Sequence, residues 1–248
     1  MKCNSILSAL LVVIVVASVA VSSFAQTGEV YSLNVVGFQK LTASSGGTTM
    51  VSTPFDRTPN TLDNVIGNQL YGHKSSLYAD NIYIYDAASQ TYKNYTLKTD
   101  GKWYDFAGVA ATNTAITSSI GFWIKNTRKL SNETVVVSGD VVDVAIMTNV
   151  ILPGVNMVSY PFSTEVEINR SALTNGYGHK SSLYADNVFI WDSASQSYQN
   201  YTLKTDKKWY DFSGNLATNV KVGAGRGFWY RNRSGSNFSW VEMRPYTL

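Results

Sequence analysis

Hydrophobic and polar positions alternate with a period of two along much of this chain. In Asn81-Ile-Tyr-Ile-Tyr-Asp86 the alternation sets Ile82 and Ile84 on one face and Tyr83 and Tyr85 on the other. Asn187-Val-Phe-Ile-Trp-Asp192 has the same aliphatic and aromatic faces. Ala87–Gln90 suits a hairpin connection into Thr91–Lys98. Thr99-Asp100-Gly101 then turns the chain into Lys102-Trp-Tyr-Asp-Phe106, Asp-Gly being a strong hairpin signal. In the second occurrence Lys207 replaces Gly101, so that turn does not depend on glycine alone. Further strands are predicted at Val30–Leu41, Thr48–Thr53, Ile120–Lys125 and Thr134–Val137. The helical pattern is confined to Thr61–Gln69 and a weaker echo at Ile168–Thr174.

These segments recur. Tyr71–Asn81 returns letter for letter as Tyr177–Asn187, and an offset of 106 then holds without a gap to Asn126 and Asn232. About 37 of those 56 pairs are identical. Met50-Val-Ser-Thr-Pro-Phe55 matches Met157-Val-Ser-Tyr-Pro-Phe162 one residue out of step, and Asn132–Val137 faces Asn237–Glu242 more loosely. About seven or eight short strands per repeat imply an all-β protein of two tandem homologous antiparallel sandwich or barrel-like modules. The expected organisation is a signal peptide at 1–25, a first β module at 26–140 and a second at 141–248. Val135–Pro153 is itself β-rich rather than linker-like, so the modules are expected to sit close enough to share a strand.

The signal peptide follows from Lys2, the apolar stretch Ile6–Val21, and Ser23 and Ala25 at the −3 and −1 positions of a cut before Gln26. Cys3 is the only cysteine, so the mature chain has no disulfide and no thiolate ligand. That suits a bacterial exported protein, secreted, held at the cell surface or periplasmic, with no transmembrane segment in the mature chain. Charged residues make up 15%, against roughly 25% in average domains, while aromatics reach 13%. A formal net charge of +3 is too small to imply a nucleic-acid partner.

Candidate chemistry is sparse. His73 and His179 are the only histidines, both in Gly-His-Lys-Ser-Ser, with Ser75 and Ser76 too near in sequence for a triad. Asp80, Asp86, Asp100 and Asp105 have twins in Asp186, Asp192, Asp206 and Asp211. Such duplication fits turn chemistry better than a catalytic pair, which needs two carboxylates in unlike environments. No zinc set, EF-hand loop or phosphate loop occurs, so neither metal nor cofactor is expected. The aromatic repeats remain. Trp103, Tyr104 and Asp105 recur as Trp209, Tyr210 and Asp211, and Trp and Tyr must point to opposite faces of a strand. One aromatic of each pair can then stack on a sugar ring, with Asp105 or Asn94 taking hydroxyls. Otherwise both faces are buried, one within a module and one between modules.

The series Asn34-Val-Val-Gly-Phe38, Met50–Phe55, Lys102-Trp-Tyr104, Gly-Phe-Trp at Gly121 and Gly227, Met157–Phe162 and Ser239-Trp-Val-Glu242 resembles a group of exported tandem-repeat β proteins from bacteria of the Verrucomicrobia and Planctomycetes kind. Of the Gly-x-Gly-Phe-Trp pattern, only the second copy, Gly225–Trp229, fits; Ser119 breaks the first. The resemblance implies export, a duplicated β module and an extracellular setting, and brings no catalytic residues. The expected function is therefore a non-catalytic structural or adhesive protein of the cell surface or extracellular space, not an enzyme. The alternatives are a tandem carbohydrate-binding protein with one aromatic site per module and, third, a secreted hydrolase. Polysaccharide and self-association are the expected partners. The candidate ligand-binding set is Trp103, Tyr104, Asp105, His73 and their twins Trp209, Tyr210, Asp211 and His179.

Overall fold

Two five-stranded antiparallel sheets of the same strand order carry the architecture. The computed structural model describes residues 35–128, 131–223 and 225–247. The signal peptide expected at 1–25 and the first residues of the strand expected from Val30 lie outside them. In the first repeat the strands are β1 (Val36–Ala43), β2 (Thr48–Ser52), β3 (Phe55–Asp56), β4 (Asn81–Asp86), β5 (Thr91–Leu97), β6 (Trp103–Asp105), β7 (Gly121–Lys125) and β8 (Glu133–Val141). The second repeat supplies β9 (Ile146–Ile151), β10 (Gly154–Ser159), β11 (Glu165–Glu167), β12 (Asn187–Asp192), β13 (Ser197–Leu203), β14 (Trp209–Asp211), β15 (Lys221–Gly223), β16 (Gly227–Asn232) and β17 (Phe238–Met243).

The five-stranded sheets run β2-β7-β4-β5-β6 and β10-β16-β12-β13-β14. The smaller sheets are β1-β8-β3, β17-β9 and β11-β15. Among the described residues every sheet draws its strands from one repeat, and the repeats meet in an isolated antiparallel bridge between Ile120 and Val158. Within each repeat the aliphatic face of the large sheet and the inward face of its smaller sheet enclose a core. Ile82, Leu97, Trp103, Phe122 and Val135 belong to the first. Val188, Leu203, Trp209, Phe228 and Trp240 belong to the second. Val141 packs on the first core and Val142 lies in the second.

The helix expected over Thr61–Gln69 is a single turn, α1 (Leu62–Val65). Gly67 takes a left-handed φ of 61° directly after it, a conformation that ends helices. Its echo is a 3-10 turn at Ala172–Asn175. Among the described residues no helix is long and apolar enough to cross a membrane.

The aromatic faces of β4 and β12 are half-buried, each turned toward the other repeat. Met50, Trp123, Met157 and Trp229 form a buried cluster, with Tyr83, Tyr85, Phe189 and Trp191 packed around it. Contacts across this seam come in reciprocal pairs. Tyr85 meets Trp229 edge-on at 4.9 Å between ring centroids, and Trp191 meets Trp123 in the same way at 5.1 Å. The Gln90 side chain donates to the Val155 carbonyl at 3.0 Å and accepts from its N–H at 3.1 Å. Gln196 does the same to Thr48, at 3.1 and 3.3 Å. Each glutamine amide thereby covers an edge-strand backbone that would otherwise be open to pairing with another chain.

Candidate functional site

Trp103 begins β6 and is fully buried, as is Trp209 in β14. Strand alternation sends the indole inward, where Trp103 Nε1 donates to the Gly67 carbonyl at 2.8 Å. Neither indole offers a surface to a sugar, which corrects the expectation of a stacking platform at these two positions. Tyr104 and Tyr210 face the other way and are half-buried. Their hydroxyls donate to Asp100 and Asp206, each at 2.7 Å. Both bonds tie the tyrosine to the preceding turn. They lower the Asp100 pKa and raise those of Tyr104 and Tyr210.

After Asp105 the chain leaves the strand in a tight turn. The Gly108 N–H donates to the Asp105 carbonyl at 3.1 Å, and the Val109 N–H to Asp105 Oδ1 at 2.8 Å. Asp at the first and Gly at the fourth position suit such a turn. It lifts Phe106 to its tip, where 95% of the residue is exposed; Phe212 is 93% exposed in the second repeat. Beyond the short β6, the first half of β5 borders an open groove of about 580 Å³. Tyr92, Asn94, Asp105, Phe106, Thr112 and Asn113 are among its lining residues. Asp105 and Asn94 are thus brought together, while Phe106 and Tyr92 were not singled out from the sequence. The signal for Phe106 was present, since Asp105-Phe-Ala-Gly108 reads as a turn. Asn94 Oδ1 and its twin Asn200 Oδ1 are buried without a hydrogen-bond partner among the described residues. At the second repeat's equivalent position Leu216 replaces Ala110 and Asn215 replaces Val109, its amide bonding Asp211 at 3.1 Å.

His73 and His179 sit elsewhere, on the loops that repeat letter for letter. Each histidine accepts a local N–H at Nδ1, from Ser75 and Ser181 respectively, both at 3.0 Å. Each ring stacks beside Tyr71 or Tyr177 and meets Tyr78 or Tyr184 edge-on. A buried aspartate anchors each loop. Asp80 accepts from the Tyr71 and Thr127 N–H groups at 2.9 and 2.8 Å. Asp186 accepts from those of Tyr177 and Arg233 and from the Tyr230 hydroxyl, at 2.7, 2.6 and 2.6 Å. Leu77 and Tyr78 stand out from the first loop, and Leu183 and Tyr184 from the second. Tyr71, His73, Tyr78, Thr127 and Arg128 border an open cavity of about 460 Å³.

The duplicated acids serve turns. Asp86 accepts from the Ala88 N–H at 3.0 Å and pairs with Lys93 at 3.0 Å, and Asp192 accepts from the Ala194 N–H at 2.9 Å. The Lys93 bond lowers the Asp86 pKa, and backbone N–H groups lower those of Asp192 and Asp211. A general acid needs the opposite shift. Among the described residues no three His, Cys, Asp or Glu side chains gather as a metal set would require. No protein-family model, curated protein or solved structure matches this chain.

Proposed function

We propose that this is an exported, non-catalytic adhesive protein that holds a polysaccharide at the cell surface or in the extracellular space. The observation that carries the reading is the groove between Tyr92 and Phe106, with Asp105, Asn94, Thr112 and Asn113 along it. Aromatic faces flanking carboxylate, amide and hydroxyl groups suit the apolar face and hydroxyl rim of a sugar ring. A phenylalanine held almost wholly in solvent contributes little to folding, and both repeats display one. Two exposed phenylalanines on one chain, Phe106 and Phe212, would strengthen attachment to a polymer through effective concentration.

The test is retention of the purified chain on insoluble neutral polysaccharides, comparing it with Phe106→Ala/Phe212→Ala. Retention by the parent that falls severalfold in the variant, with unchanged melting, supports the reading. An absence of retention on every polysaccharide, or equal retention by both proteins, overturns it.

A self-associating structural protein is the second reading. It is favoured by the outward face of β9 and β17, where Ile146 lies opposite Met243 and the two are 56% and 74% exposed. Sedimentation velocity on the same sample separates the two readings: concentration-dependent assembly without glycan retention selects the second.

A further inference from the structure

The two identical loops differ in the charges beside them. In the first repeat Arg128 lies over the Tyr71 ring at 4.7 Å and is paired with Glu133, whose side chain is buried. Its charge is balanced in place. In the second repeat Arg231 stands for Lys125, Arg233 for Thr127, Ser234 for Arg128 and Phe238 for Glu133. The acid has gone, and two arginines stand together where the strand ends, Arg231 within β16 and Arg233 just past its last residue, near enough for the charge of Arg233 to act on Arg231.

Neither guanidinium has a carboxylate partner among the described residues. Arg233 Nε is buried without a hydrogen-bond partner. Asp186 accepts the Arg233 backbone N–H but forms no ion pair with its side chain. Burial and the neighbouring Arg233 charge both lower the Arg231 pKa, as expected for a cation beside another cation. An unpaired donor on a partly buried guanidinium is costly, and a planar fork of N–H groups matches an oxyanion.

We propose that Arg231 and Arg233, beside the Tyr177–His179 loop, form an oxyanion site for the sulfate or carboxylate substituents of an acidic polysaccharide. The site deepens the glycan-binding reading, and its polysaccharide part rests on it. It makes the second repeat the one that selects charge.

The test uses inorganic sulfate as a probe independent of any glycan. Thermal melting of the full chain is compared in sodium sulfate and sodium chloride at equal ionic strength, alongside titration calorimetry with sulfate. The variant is Arg231→Lys/Arg233→Thr, which installs residues that the first repeat already folds with. Sulfate should raise the parent's melting temperature, and the variant should bind sulfate roughly tenfold more weakly or worse. A sulfated polysaccharide should be retained more strongly than its neutral parent polymer, and the variant should lose the excess. Sulfate stabilisation without retention of either polymer would uphold the anion site and overturn its glycan assignment. Equal retention of the two polymers, with no sulfate effect on the parent, would overturn the anion site and leave the glycan reading standing.

Discussion

Tyr85 of the first repeat meets Trp229 of the second edge-to-face, their ring centroids 4.9 Å apart, and Trp229 Nε1 donates to the Tyr198 hydroxyl at 3.0 Å. Such aromatic pairs contribute about 0.5–1.5 kcal/mol beyond the area they bury. A double-mutant cycle on Tyr85→Leu and Trp229→Leu in urea is expected to give a coupling within that range. Strict additivity would mean that the rings are merely adjacent.

Gly121 and Gly227 face each other across the same seam. A Cβ on Gly121 would lie 2.8 Å from the Val158 carbonyl oxygen and 3.1 Å from Gly227 Cα. On Gly227 it would lie 2.8 Å from the Val51 oxygen and 3.0 Å from Gly121 Cα. These neighbours are backbone and cannot swing aside. Gly121→Ala and Gly227→Ala are each expected to cost about 1–3 kcal/mol, read from denaturant midpoints. Unchanged midpoints would mean that the seam opens freely.

The two core tryptophans differ in one respect. Trp103 Nε1 has the Gly67 carbonyl, whereas Trp209 Nε1 is buried without a partner among the described residues. Both indoles fill their cores, so either Trp→Ala change should cost about 3–5 kcal/mol. Trp→Phe separates them. Trp103→Phe strands an acceptor and should be the more damaging, by about 1 kcal/mol, while Trp209→Phe removes an orphaned donor. Equal losses in chemical denaturation would show that the bond to Gly67 carries no net stability.

Burial raises the pKa values of Tyr83, Tyr85, Tyr92 and Tyr198 above the ordinary 10.0. A group whose folded pKa is raised contributes stability fully below its unfolded value and loses it as pH climbs through the folded one. The melting temperature should therefore be insensitive to these groups up to about pH 9 and fall above about pH 10. Phenolate absorbance should rise together with unfolding. Tyr83→Phe/Tyr85→Phe should flatten the alkaline fall, and an unaltered slope would exclude these rings as its source.

The all-β class and the two-faced β4 and β12 strands were legible because each depends on neighbours one or two residues apart, and the repeat because its copies are identical at most positions. The covering of Tyr85 depends on Trp229, more than 140 residues away, and period-two alternation carries no information about such a partner. Trp103 and Phe106 show the same limit at the site. Their motif is identical in both copies, and alternation sets Phe106 on the face opposite Trp103, but it does not show that the strand ends at Asp105 and that the turn there leaves the phenylalanine almost wholly in solvent. Lys207 keeps the left-handed φ that glycine holds in the first copy, 62° against 77°. Its ammonium reaches the Gly176 carbonyl at 2.7 Å. That contact, which offsets part of the backbone cost, could not be read from the turn sequence.

The reciprocal contacts of the seam carry one more consequence. Gln90 and Gln196, Trp123 and Trp229, Gly121 and Gly227 occupy matching positions, so each half of the chain bears both sides of the joint. A polypeptide half as long holds every group needed to mate with an identical copy, and its pairing would fade on dilution. Covalent joining removes that dependence: the paired state survives any dilution, and each half becomes free to diverge without losing its mate.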